Sequence, residues 1–424
     1  MTVTSPELPI ATFGTLDDAP SLLVDGGYGW VCVAACFIIN CFTWGLVSVY
    51  GVYLSYYLRD DSFPGASPLD FAFVGGLTFA AAMLVAPLVT FLTRKYGTRP
   101  PMLFGVLSLA GGFVSASFAV KAWHLCLSQG ALVGIGVGCV YIPSIPILSQ
   151  WFSKKRSLAN GITSAGSGIG GVIFSLTTNS MIENISVGWS LRITGVVAFL
   201  MTTIAVLLIK DRNDVIIPRQ HPFDVQLLFR YDVWLLLLWA FVSMLGYITL
   251  LYSLPDFALS IHLSRSQSAE VITFLNLGTA IGRPFIGILS DRFGRIKVAA
   301  ILTFACGTIC FAIWIPARSF GVTVLFALVS GAILGVFWVT VGPICAEIVG
   351  LQQLQSLLSI SWLTIVLPTL FSETIALRLR RPDSGREYLY PQLFAGIAYI
   401  VASAFLFELS RRHENRERIR HAER

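Results

Sequence analysis

Apolar residues run along this chain in twelve blocks, separated by short polar stretches. The blocks read approximately as 30–57, 70–92, 101–120, 124–149, 158–180, 188–209, 232–255, 268–289, 298–316, 319–345, 353–377 and 389–409. A hydrocarbon core about 30 Å thick needs roughly 20 apolar residues in helical form, and each block is near that length. The pattern predicts an all-α membrane protein with 12 transmembrane helices. Composition sharpens this: 55% of the 424 residues are hydrophobic and only 12% charged, with the charges gathered between the blocks. A water-soluble domain has too little interior to hide that much apolar surface. Residues 1–29 hold Glu7, Asp17, Asp18 and Asp25 but no Lys or Arg. A signal peptide needs a basic leader before a short apolar core, so the first helix is expected to carry the chain into the membrane.

The longest interior polar segment, 210–230, divides the blocks six and six. A repeat supports the division. Arg94–Pro100 reads RKYGTRP and Asp291–Lys297 reads DRFGRIK, at a spacing of 197 residues, each after the second helix of its half. Two pseudo-symmetric six-helix bundles are therefore expected, with a substrate site between them near the midplane. The boundaries are 1–29 for an N-terminal tail, 30–209 and 231–409 for the bundles, 210–230 for the linker and 410–424 for a basic tail. Placing both ends in the cytoplasm puts 19 of the 29 Lys and Arg residues on the inner side, as the positive-inside rule asks. The net charge of +6 is mostly this inner belt. It suits anionic lipid headgroups in the bilayer, and no nucleic-acid partner is expected.

All eight cysteines (Cys32, Cys36, Cys41, Cys126, Cys139, Cys306, Cys310 and Cys345) fall in apolar blocks without His or carboxylate neighbours. They read as packing residues, with no disulfide, no metal and no cofactor expected. Gly166 to Gly171 matches the G-x-G-x-x-G dinucleotide pattern, but that pattern needs a preceding strand. Inside a membrane helix, small residues let helices approach closely. No Ser-His-Asp set or paired-acid site converges, so catalysis is not expected.

Gly287 to Lys297 reads GILSDRFGRIK. Asp291 sits at a helix end, able to pair with arginines and to face a neighbouring helix N-terminus. Gly294 permits the tight turn, and Arg292, Arg295 and Lys297 hold the inner face. The segment resembles the loop signature of the major facilitator superfamily, which implies a gate latch on that face. In the first-half copy Arg94 stands in place of the acid. Asp25-Gly26-Gly27-Tyr28-Gly29-Trp30 resembles the segment leading into the first helix of the monocarboxylate transporter family. KKRSLANG from Lys154, NLGTAIGRPFIG from Asn276, Glu347 to Gly350 and Pro368 to Phe371 agree with that family's fungal-type branch. The resemblance implies the major facilitator fold and proton-linked movement of small carboxylates by a first-helix Lys and an eighth-helix Asp and Arg. Arg283-Pro284 is present, but Thr279 stands at the Asp position and Ser48 at the Lys position. Those departures point to a larger or different substrate.

Arg283 is the leading candidate for binding, because a guanidinium within an apolar helix needs a cavity or a partner, and its flat fork suits a carboxylate. An interhelical pair is the alternative. Asn40, Trp44, Ser48, Tyr50, Tyr141, Asn276, Phe337 and Trp338 are the other expected lining residues, and together they suit a planar organic molecule. Glu373 is the candidate proton relay. The function expected is secondary transport of a small organic solute, monocarboxylate-like or otherwise planar, by alternating access with protons as a candidate partner. Export of a cell-made secondary metabolite and a non-transporting nutrient sensor are the alternatives. The protein is expected to act as a monomer, in the plasma membrane or an internal membrane such as the vacuole's.

Overall fold

The computed structural model describes residues 25–59, 63, 68–216, 223–381 and 385–422. The expectations for Glu7, Asp17 and Asp18 lie outside the described residues. Helix α1 comprises Gly29–Phe42, Trp44–Ser48 and Tyr50–Arg59. It breaks where the Thr43 hydroxyl turns back onto the Ile39 carbonyl at 2.6 Å. Helix α2 is Pro68–Leu84 with Ala86–Tyr96, and α3 is Arg99–Ala116, opened by two prolines that need no amide donor in a first turn. Helix α4 runs through Ala122–Leu125, a π segment Cys126–Leu132 and Val133–Trp151. Helices α5 (Arg156–Asn184) and α6 (Val187–Leu208) complete the first half.

The second half repeats the plan. Helix α7 is Tyr231–Ser260, and α8 is Arg265–Phe293, started by a Ser264–Gln267 capping box. Helix α9 is Arg295–Ile309 followed by a π turn Cys310–Trp314. Helix α10 begins as Phe320–Leu334 and continues from Val336 to Gly350, where φ of 73° turns the chain back. Helix α11 covers 351–364 and Val366–Leu379, and α12 is Leu389–Ala422.

Among the described residues, nine segments are long and apolar enough to cross a membrane by length and composition alone. One of them, Phe320–Leu379, holds both α10 and α11. Helices α3 and α5 add two further crossings. The many Gly, Ser, Thr and Asn residues of α5 lower its hydropathy, which a helix largely surrounded by protein tolerates. Among the described residues the molecule is a twelve-helix, all-α membrane protein.

The packing repeats as well: α1 lies on α5 and α3 on α6, as α7 lies on α11 and α9 on α12. The basic tail continues α12 as helix. Arg416 bonds Asp232 at 2.9 Å and Arg412 lies over the Tyr231 ring at 4.2 Å, which docks the tail on the start of α7.

The two halves meet along α5–α8 and α2–α11, and the two seams differ. Along α5–α8 the glycines leave no space. An added Cβ would sit 2.4 Å from the Arg283 carbonyl at Gly161, 2.7 Å from the Asn276 carbonyl at Gly168, and 2.4 Å from the Ser157 carbonyl at Gly287. At Gly76 of α2 the nearest atom of α11 is 3.8 Å away. We therefore expect Gly168→Leu to cost at least about 1–3 kcal/mol by overpacking. Gly76→Ala should be neutral or stabilising, because alanine is the better helix former by about 0.5–1 kcal/mol. Melting temperatures of the two purified variants check the contrast.

Candidate functional site between the halves

Rings from six helices of both halves meet midway along the seam. Trp338 of α10 is at their centre. Its ring centroid lies 5.4 Å from Trp44 of α1, 6.4 Å from Tyr141 of α4, 6.0 Å from Tyr247 of α7 and 6.0 Å from Trp362 of α11. Trp338 and Trp362 are nearly parallel at 15°. Phe337 packs on Trp338 at 5.2 Å, and Phe79 of α2 packs on Trp44 at 5.0 Å. Of the aromatics singled out from the sequence, Trp44, Tyr141, Phe337 and Trp338 come together here. Phe79, Tyr247 and Trp362 were missed, although all three lie mid-helix in seam-facing helices.

Arg283 enters the same region from α8. It is 6% exposed. Its Nη1 donates to the Ser164 carbonyl and to Ser167 Oγ of α5, both at 2.6 Å, so the side chain spans the two halves. Gly335, at the break in α10, makes the room: a Cβ there would stand 2.5 Å from Arg283 Nε. The ionisable groups facing the guanidinium are the Tyr141 and Tyr247 phenols, and among the described residues it makes no ion pair. A buried cation without a counter-ion is costly.

Unpaired donors concentrate in this region. Arg283 Nε, Asn276 Nδ2 and the indole N–H groups of Trp44, Trp338 and Trp362 are buried without a hydrogen-bond partner among the described residues. The Trp338 indole lies toward the Tyr247 hydroxyl without completing a hydrogen bond of normal geometry. Each unsatisfied donor costs on the order of 1–3 kcal/mol. Asn276 and Ser48 meet at Gly171 of α5, within 2.9 Å and 2.7 Å of where its Cβ would be. Seven residues separate Asn276 from Arg283, which places them on one face of α8 about 10 Å apart. Asn40 and Tyr50 turn elsewhere. The Asn40 amide donates to Cys36 O of its own helix, and the Tyr50 hydroxyl donates to Phe71 O of α2.

One face of the seam is latched. Asp291, at the end of α8, accepts from the Ser157 and Leu158 amides at 3.0 and 2.8 Å, capping the start of α5. Arg295 bonds Asp291 at 3.2 Å, Glu347 of α10 at 3.0 Å and the Ser153 carbonyl at 2.6 Å. The Asp291 and Arg295 side chains are each 12% exposed, so water screens this network little. Gly294 takes φ of 95° and Gly287 seats α8 on α5. Arg292 lies on the neighbouring Phe293 ring at 5.3 Å, and Lys297 is exposed. On the α2–α11 seam Arg94 stands at the position related to Asp291, and a neutral contact, Gln355 donating to Thr90 at 3.3 Å, joins the two helices.

The family profile of the Major Facilitator Superfamily matches residues 33–371 and again 236–418. The chain belongs to that superfamily. Among its relatives, the probable transporter MCH2 of Saccharomyces cerevisiae is 35% identical over 89% of this chain and 81% of the relative. The fujikurins efflux protein of Gibberella fujikuroi is 28% identical over 90% of this chain and 82% of the relative. The solved proton:xylose symporter XylE, bound to 6-bromo-6-deoxy-D-glucose, superposes with a TM-score of 0.74 at 12% identity, covering 91% of this chain and 96% of that one. That likeness concerns the fold. This protein is thus a multi-pass membrane transporter of the facilitator class.

Several further charged side chains of the facilitator lie toward the opposite face, whereas Arg156, buried at the start of α5 on the latched side, donates to the Phe152 and Ser149 carbonyls at 3.0 and 3.4 Å. Glu373 of α11 accepts from Ser253 of α7 at 3.2 Å. Asp256 accepts from Arg380 at 2.9 Å and from the Tyr388 hydroxyl. Arg192 bonds Ser117 at 3.0 Å and lies over the Phe118 ring at 4.4 Å, as a snorkelling arginine does. Thr279 and Ser48, at the two coupling positions of the monocarboxylate transporters, donate to the Gly331 and Gly45 carbonyls at 3.2 and 2.7 Å.

Proposed function

We propose that this facilitator moves an organic anion with a flat, apolar body by alternating access, with Arg283 as the anion-binding residue. The observation that carries the reading is the set of unpaired donors around Arg283 and the tryptophans. A ligand rich in acceptor oxygens would satisfy the amide, indole and guanidinium N–H groups together, and its body would lie among the rings of Trp44, Trp338 and Trp362. The hydroxyls at Thr279 and Ser48 are tied to backbone, which argues against the lactate-type coupling set. The site lies between two halves of one polypeptide, so a single chain suffices for transport.

Direction is proposed as outward, for a metabolite the cell makes. The name of the Gibberella relative, an efflux protein, supports this. Comparing whole-cell and medium metabolites with and without the protein tests both parts. The compounds whose distribution changes should be planar acids. Changes confined to neutral or cationic compounds would sink the anion reading.

Coupling is assigned to Glu373, a carboxylate within the membrane that accepts a hydrogen bond from the Ser253 hydroxyl. Glu373→Gln should abolish the response of proteoliposome flux to an imposed pH gradient while sparing exchange of the same solute at equal pH. A retained response would place the proton path elsewhere.

A further inference from the structure

The Asp25–Trp30 segment takes no part in the transport site, yet it is wrapped closely around the turn between α4 and α5. Asp25 donates its own amide to the Trp151 carbonyl at 3.2 Å. Its Oδ1 accepts from the amides of Ser153, Lys154 and Lys155 at 2.8, 3.0 and 3.3 Å, and Oδ2 accepts from Lys154 at 3.2 Å. Positive φ at Asp25 and Gly27, 43° and 59°, bends the chain around the turn. Gly29 lies where a Cβ would be 3.1 Å from both Trp151 and Phe152. Trp30 meets the Phe152 ring at 5.1 Å, and the Tyr28 hydroxyl bonds the Leu208 carbonyl at the end of α6.

The gripped turn is the one the gate uses. In the peptide unit joining Ser153 and Lys154, the N–H is held by Asp25 and the C=O by Arg295 from the other half. Hydrogen bonds at the two ends of one peptide polarise it and strengthen each other. The start of α5 is shared in the same way. A helix leaves its first amides without internal partners. Here Asp25 takes those of Ser153 to Lys155 just ahead of the helix, and Asp291 takes those of Ser157 and Leu158.

We propose that Asp25 is a positioning residue of the gate, holding the α4–α5 turn in the register that Arg295 and Asp291 engage. The segment before α1 is thereby tied mechanically to the seam between the halves. Burial alone would raise the Asp25 carboxyl, but the three amides and the Lys154 ammonium hold it below the usual carboxylate range. The contact therefore stays ionised at neutral pH. The inference requires that the halves separate at this face and is independent of what is carried.

Hydrogen exchange of the full chain in lipid nanodiscs tests it without a ligand. Asp25→Asn should speed exchange at Ser153 to Lys155, whose charged acceptor is replaced by a weaker, neutral amide oxygen. It should also speed Ser157 and Leu158 by about ten-fold, the scale of losing charge-assisted hydrogen bonds, although Asp25 touches neither amide. In an Arg295→Gln background the same change should add nothing at 157 and 158. Asp25→Glu, which keeps the charge but displaces it, should give a smaller rise at those two amides. Unchanged α6 exchange shows that each variant is folded. Acceleration limited to 153–155 in the folded variants would make Asp25 a local loop anchor and overturn the proposal.

Discussion

Arg283→Gln should abolish transport while leaving the folded protein as stable as before, or more so. The two effects have opposite signs for one reason. In the resting protein the guanidinium is buried and, among the described residues, has no counter-ion and keeps one N–H unpaired. Removing a buried, uncompensated charge relieves a desolvation penalty of several kcal/mol. The loss of the bonds to Ser164 and Ser167 costs about 1–3 kcal/mol and offsets part of that gain. For an anionic substrate bound there the same change removes a cationic partner from a low-dielectric site, and flux should fall at least about 100-fold, the equivalent of roughly 2.7 kcal/mol. Arg283→Lys should recover part of the flux, since a point charge lacks the two-pronged geometry. Flux of the identified solute in proteoliposomes, read beside the melting temperature, checks the pair. Full flux in the Gln variant would remove Arg283 from the site. A large drop in stability would make it an interhelical tie.

The second large effect is expected at the gate. Asp291→Asn removes an ion pair with Arg295 and weakens two amide bonds at the start of α5. Because the partners are 12% exposed, the loss should be near the upper range for charged hydrogen bonds, about 2–3 kcal/mol. That moves the equilibrium toward the state open on this face by roughly 30- to 150-fold. Asn160 of α5 faces Gly342 of α10 across the seam, so a cysteine placed there reports the opening. Asn160→Cys should react slowly with a water-soluble maleimide when Asp291 is intact, and faster by about that factor in the double variant. Equal rates would show that the latch does not hold this face closed. The neutral Gln355–Thr90 contact on the other seam predicts a weaker effect there. Gln355→Ala should change the Asn160→Cys labelling rate by less than about five-fold, since a net neutral hydrogen bond is worth on the order of 1 kcal/mol or less.

How much of this could be read from the chain depended on the kind of signal. The Gly287–Lys297 segment was legible because a helix end, a turn glycine and their charges are local. Its expected partner, a neighbouring helix N-terminus, is the start of α5. The central aromatic cluster was legible only in part. Trp44, Tyr141, Phe337 and Trp338 meet in the centre, but so do Tyr247 and Trp362, which look like any other mid-helix aromatic. Asn40 and Tyr50 have the composition of lining residues, but the Asn40 amide is used on the Cys36 carbonyl of its own helix and the Tyr50 hydroxyl on the Phe71 carbonyl. The first-half loop with Arg94 gave no hint that Asp25, far away in the chain, would serve that side's turn.

By itself the sequence determined the number of crossings, the two-half repeat and the superfamily. Each of these follows from bilayer thickness and from short-range backbone requirements, which act on contiguous residues. The tertiary structure alone decided which aromatics share a site, that Arg283 is left without a counter-ion, and that two acids distant in sequence divide the amides at the start of α5. Those properties depend on the rotation of each helix about its axis and on where glycines let backbones touch. The many apolar faces of such helices fit a bilayer nearly equally well, so hydropathy does not select among them.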